Sequence, residues 1–148
     1  MSKLPEQRAI DSILFDWPAE SPALKCSICN QCGASSFPVN RSCTACGSEE
    51  VVIKELPRRG RLWTFTVQHF MPKEPYRSDE VPETFRPFAI GYVELEGSIR
   101  IETRIPLASS SPLAIDMPLE LGFYKHRTEP DGSEIINYEF RPQRSDTV

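Results

Sequence analysis

The sequence predicts a mainly β chain in which a short helix and a metal-stapled ribbon precede a five-stranded antiparallel barrel, and three observations carry that expectation. All five cysteines fall between Cys26 and Cys46. From Gly60 onward apolar and polar residues alternate with a period of two, the signature of half-buried strands. Fourteen prolines among 148 residues leave few windows in which a helix can run, because an interior proline removes a helix hydrogen bond and clashes with the preceding turn. The length suits one domain with a small extra module. Hydrophobic residues make up 39% and charged residues 26%, with a net charge of −4, which places the chain among globular proteins rather than disordered or strongly basic ones.

Glu6 to Trp17 is free of proline, and Ile10, Ile13 and Leu14 stand at i, i+3 and i+4, with Pro5 suited to a first helical turn. The spacing predicts a short amphipathic helix within an N-terminal segment, 1–25. Such a helix either docks a partner through Ile10 and Leu14 or lies on its own domain. No run of aliphatic or aromatic residues exceeds three, whereas a membrane-spanning helix needs about 20. The first residues show no secretory pattern, so a cytoplasmic, reducing location is expected, with cysteines used for metal rather than for disulfides.

The segment 26–56 holds two Cys-x-x-Cys-Gly turns: Cys29-Asn-Gln-Cys32-Gly33 and Cys43-Thr-Ala-Cys46-Gly47. Each turn lets two thiolates converge on one tetrahedral ion, and the following glycine can take the positive φ that aims backbone N–H groups at sulfur. Cys29, Cys32, Cys43 and Cys46 are therefore the expected ligands of a structural Zn²⁺, with iron as the chemical rival for four thiolates. Cys26 pairs with Cys29 at the same spacing but is followed, after Cys29, by Asn30 rather than glycine, and is left as a spare thiol.

The barrel is expected over 57–142, with a polar tail at 143–148. Leu62, Thr64 and Thr66 alternate with Trp63, Phe65 and Val67, the latter three being read as core. Phe88–Leu95 and Ile99–Ile105 form a hairpin about a Glu96-Gly97 turn, Leu119–Phe123 a fourth strand, and Ile136–Phe140 a fifth after the Pro130–Ser133 turn. Five strands with a long first connection fit a partly open barrel of OB type, with an SH3-like barrel as the competitor.

Neither histidine, His69 or His126, belongs to a recognised catalytic or metal motif, and nucleotide and hydrolase signatures are absent. Cys26 is the one candidate nucleophile, with a buried spare thiol as the alternative. From Pro57 to the end, 12 Lys and Arg stand against 14 Asp and Glu, which argues against nucleic-acid binding, since counterion release needs a basic surplus. Arg58, Arg59 and Arg61 cluster before the first barrel strand, and Arg86, Arg100 and Arg104 lie in or near the hairpin; these could meet a phosphate or serve as solvated faces.

The order of motifs is similar to that of a known family. Cys29-x-x-Cys32-Gly33, Phe37-Pro38, Cys43-x-x-Cys46-Gly47-Ser48, Gly60–Val67, Pro87–Leu95 and the closing Tyr138-Glu139-Phe140-Arg141-Pro142 resemble the zinc-ribbon/OB-fold acyl-CoA-associated accessory proteins, long filed as a domain of unknown function. Val39-Asn40 departs from the Pro-Arg that usually follows Phe-Pro there. The resemblance implies a rubredoxin-like ribbon, a non-catalytic role, and a thiolase-fold partner in a heterotetramer that forms or cleaves a C–C bond on an acyl-CoA, as thiolases, acyltransferases or steroid side-chain aldolases do. With an acyl-CoA as the ligand of the complex, Arg58, Arg59 and Arg86 are the expected contacts for its phosphates. Ile10, Leu14, Tyr76 and Phe85 become partner contacts, the last two within the proline-rich, acidic stretch 71–87 that can face a partner or roof a CoA channel. The alternative is an independent module binding acyl-CoA or single-stranded nucleic acid.

Overall fold

A computed structural model describes residues 5–95, 99–107 and 112–143. The expected Glu96-Gly97 turn and most of the C-terminal tail lie outside them. Nine strands and no helix are found among the described residues: β1 Gln7–Ala9, β2 Lys25–Cys29, β3 Ser35–Ser36, β4 Val51–Glu55, β5 Arg59–Gln68, β6 Phe88–Leu95, β7 Arg100–Pro106, β8 Pro118–Thr128 and β9 Glu134–Pro142. They form a three-stranded sheet in the order β3-β2-β4 and a six-stranded sheet in the order β1-β9-β8-β5-β6-β7.

The last five strands are the expected OB-type barrel. Antiparallel ladders join β5 to β6, β6 to β7, β5 to β8 and β8 to β9. Side chains alternate as the period of two requires: Val93, Leu95, Ile101, Ile105, Leu119 and Phe140 are buried in the core. At Gly91 the strands approach so closely that an added Cβ would lie 2.5 Å from the Thr64 carbonyl oxygen, which excludes any larger residue without moving β5.

The predicted N-terminal helix is replaced by an extended strand and a turn. β1 pairs in parallel with β9, and hydrogen bonds from Glu134 N to Glu6 O and from Ile10 N to Ile136 O continue that ladder. Asp11 then accepts the Ile13 N–H at 3.0 Å, a local bond that competes with helix formation, and the chain turns at Asp11–Leu14. A helix of two or three turns has marginal stability of its own, whereas the exposed edge of β9 offers backbone partners. Ile10 and Leu14 pack against the core, Phe15 is fully buried, and Ile13 is exposed.

A second correction concerns Trp63. A β-bulge between Leu62 and Thr64 shifts the register, so Leu62 and Phe65 face inward while Trp63 is 46% exposed, edge-on to Tyr92 and stacked under the Arg100 guanidinium at 3.8 Å. Strict alternation fails at an inserted residue.

β7 and β9 meet across the open seam of the barrel through side chains. Thr103 Oγ1 accepts the Phe140 N–H at 3.1 Å, and the Tyr138 hydroxyl donates to Glu102 O at 2.7 Å. Thr103 is buried, so Thr103→Val, which keeps the shape and removes the hydroxyl, strands the Phe140 N–H; it is expected to cost about 1–3 kcal/mol in urea unfolding. Thr103→Ser is expected to lose much less.

Candidate metal centre and basic residues

Two knuckles build the metal centre, and each repeats the same backbone solution. After Cys29 ends β2, the chain turns so that Gly33 N donates to Cys29 O at 2.9 Å; after Cys43, Gly47 N donates to Cys43 O at 2.9 Å. Gly33 and Gly47 have φ of 81° and 78°, a region in which residues with a Cβ are strained. The first sulfur of each turn accepts two backbone N–H groups. Gln31 and Cys32 donate to Cys29 Sγ at 3.3 and 3.4 Å, and Ala45 and Cys46 to Cys43 Sγ at the same distances.

The four ligand atoms of Cys29, Cys32, Cys43 and Cys46 lie within 4.8 Å of one another. Cys29 and Cys46 sulfurs are 3.6 Å apart and those of Cys32 and Cys43 3.5 Å. A tetrahedron with metal–sulfur bonds of about 2.3 Å has edges of about 3.8 Å, so the sulfurs already stand close to ligating positions. Charge points the same way. The N–H groups of Cys46 and Ala45 bring the Cys43 thiol from 9.0 down to about 6, and that of Cys32 lowers Cys29. Cys46 accepts the Ser48 N–H, yet burial and the neighbouring sulfurs push it up to about 12. Two thiolates are thus favoured and the others resist ionising beside them, a conflict that a cation among the four sulfurs resolves. These four residues could hold a metal ion.

Cys26 is not part of the group. It is 1% exposed in the shared core with Leu24 and Leu56, and burial raises its thiol pKa, which keeps it protonated and unreactive at neutral pH.

The arginines expected at a phosphate are spread over distinct local partners. Arg58 donates through Nη1 to Pro22 O. Arg59 lies 3.6 Å from Glu120, and Arg61 donates to Asp116 O at 2.9 Å. Arg86 sits in the 71–87 connection, where its backbone N–H is taken by Glu80. In the same connection Phe85 packs edge-on against Phe88, and Tyr76 against His126. Nothing in the sequence marks Arg104 and His126 as neighbours, yet both line one cavity beneath this connection. The signal is hidden because a bulge between Lys125 and Arg127 interrupts the alternation of β8.

Residues 54–124 match the family model described as ChsH2, C-terminal OB-fold domain. The chain is 31% identical over 130 residues, 86% of its length and 83% of the relative's, to the benzoylsuccinyl-CoA thiolase subunit BbsA of Thauera aromatica. It is 28% identical over 116 residues, 77% of either chain, to a DUF35 domain-containing scaffold protein of Methanocaldococcus jannaschii. Among solved structures, the Ltp2-ChsH2(DUF35) aldolase matches with a TM-score of 0.59 at 22% identity, over 81% of this chain and 84% of that one, which bears on the fold.

Proposed function

This chain belongs to the DUF35 family of BbsA and the ChsH2 OB-fold domain, and from that premise we propose that it is a non-catalytic accessory subunit of a thiolase-superfamily enzyme acting on an acyl-CoA thioester. The observation that carries the reading is the match to a thiolase subunit along 86% of the chain. The cysteine centre fits this role: four protein sulfurs close a tetrahedral site and leave no position for a reacting water, so zinc there would brace the ribbon rather than catalyse. Carbon–carbon bond chemistry resides in the partner. This chain's share is to hold the ribbon and barrel as one rigid support, built on the common core of Leu24, Cys26 and Leu56 with Val93 and Phe140.

Partner contact is assigned to the connection 71–87, with Tyr76 and Phe85, together with neighbouring apolar side chains left at the surface, Phe70 at 80% exposure and Val81 at 50%. Arg86, at the end of the 71–87 connection, is assigned to the CoA phosphates; Arg58 and Arg59 stand at the opposite end of the β5–β6 ladder, where Gly60 pairs with Leu95 while Gln68 pairs with Phe88, too far to share them. Co-expression with the thiolase-fold subunit should yield a stable heterotetramer whose turnover of its acyl-CoA depends on this chain. Arg86→Ala should raise KM for the thioester and leave kcat near its original value, because a phosphate contact remote from the reacting carbon binds substrate and transition state alike. Separate elution of the two chains with unaltered turnover overturns the reading.

A further inference from the structure

Three buried side-chain atoms among the described residues make no hydrogen bond: the Tyr76 hydroxyl, Arg104 Nε and His126 Nδ1. Their residues line a single cavity of about 500 Å³, between the face of β6–β9 that carries Phe88, Arg104 and Tyr124 and the connection after β5. Unpaired polar atoms are costly to bury, by more than a hydrogen bond returns, so three in one cavity mark it as a place for water or for a bound molecule that can replace it. The volume is within the range of small-molecule sites.

We propose that this cavity binds a small organic carboxylate, with its carboxyl group on Arg104, Tyr76 and His126 and its apolar or aromatic body against Phe88, Tyr124 and Tyr138. The Arg104 guanidinium is held 4.6 Å from the ring centroids of both Phe88 and Tyr124, which fixes its direction. Glu139 does not use up its Nε–H. The nearest Glu139 oxygen is 3.7 Å away, beyond hydrogen-bond range, and the other accepts Arg141 Nε at 2.5 Å. One carboxylate shared by two guanidinium groups leaves positive charge at this wall. Glu102 also borders the cavity; its carbonyl accepts the Tyr138 hydroxyl, and the residue is exposed at the rim.

His126 stands edge-on to Tyr76 at 5.7 Å and to Tyr124 at 6.0 Å, so the three unpaired atoms belong to one continuous stretch of wall. Burial, reinforced by Arg127 and Arg104 and opposed by Asp79 and by a hydrogen bond to the Arg77 backbone, lowers the His126 pKa and keeps the imidazole neutral in the free chain. A carboxylate offers about four lone-pair positions and can take an N–H, an O–H and a second N–H together, whereas an alcohol oxygen offers two. The roof is tied down by Asp79, which accepts the Thr128 N–H at 2.7 Å and its hydroxyl at 2.8 Å.

The inference does not rest on the accessory-subunit reading, because the full-length, metal-loaded chain can be titrated without a partner. Sodium benzoate is the probe, followed by calorimetry and by shifts of the His126 imidazole and Tyr76 ring resonances. Saturable one-to-one binding is expected, with benzyl alcohol and inorganic phosphate each at least about tenfold weaker, since one lacks the charge and the other the apolar body. Arg104→Met should weaken benzoate about tenfold or more, and Tyr76→Phe, which keeps ring and fold, about threefold to tenfold. Absence of saturable benzoate binding overturns the proposal. So does phosphate binding as tight as benzoate, or a Tyr76→Phe chain that binds benzoate unchanged.

Discussion

Stripping the metal, by a strong chelator or by Cys43→Ser, is expected to unfold residues 26–55 while much of the barrel stays folded. The ribbon has little else to hold it. β4 exposes Val52 and Ile53, β3 has two residues, and the buried apolar residues at the base, Leu24, Cys26 and Leu56, belong to the core shared with the barrel. Binding at a four-thiolate site can supply on the order of 10 kcal/mol of folding free energy, which exceeds any other single contribution available to this segment. Hydrogen exchange should show β2 and β4 amides losing protection on chelation, with those of β6 and β9 largely retaining theirs. Cys26→Ala, in contrast, should keep one metal ion per chain and lose only packing.

Acid should release the metal in the same way. The Cys43 thiol is held at about 6 against an ordinary 9.0 by the Cys46 and Ala45 N–H groups. A folded-state value below the unfolded one means stabilisation that is fully present above about pH 9 and lost as the pH falls through about 6. Protons and metal compete for the same sulfur, so metal retention is lost in the same direction. Stepped-pH dialysis against a chromophoric chelator should show release on acidification below about 6 and none on raising the pH from 7 to 9.

How far the sequence was legible follows from the range of the forces involved. Barrel strands and knuckles are specified by neighbours in sequence: period-two alternation over β6 and β7, and the cysteine and glycine spacing around Gly33 and Gly47. The elements that resist such reading are decided by partners far along the chain. Gln7–Ala9 is a strand because β9, more than 120 residues later, offers its edge. Trp63 is exposed because a bulge inserts one residue, and nothing local to Leu62-Trp63-Thr64 announces it. Of the candidate site, the four cysteines were legible because each pair is a local turn. The cavity was not, since Tyr76, Arg104 and His126 come from three separated segments.

Phe15→Ala is the second large effect, and it tests the element for which alternation and helical spacing both mislead. Phe15 is fully buried, 4.9 Å from the Phe123 ring and edge-on to Trp17 at 6.4 Å, while Trp17 lies 5.2 Å from Phe123. Lys25 N donates to Leu14 O at 2.9 Å, and its ammonium bonds Ser12 O and Asp16, so the turn that delivers Phe15 is anchored to the start of β2. Truncation of so enclosed an aromatic ring should cost about 3–5 kcal/mol. For a chain of this size that corresponds to a fall in Tm on the order of 10 °C. Ile13→Ala should change stability by only about 0.5 kcal/mol, because that side chain is 44% exposed. An amphipathic helix seated through Ile10, Ile13 and Leu14 demands the opposite ranking, with Ile13 the costly position and Phe15 on the outer side. Thermal unfolding of the two variants side by side therefore separates a strand and plug from a docked helix, and a Phe15→Ala chain that melts with the parent rules the plug out.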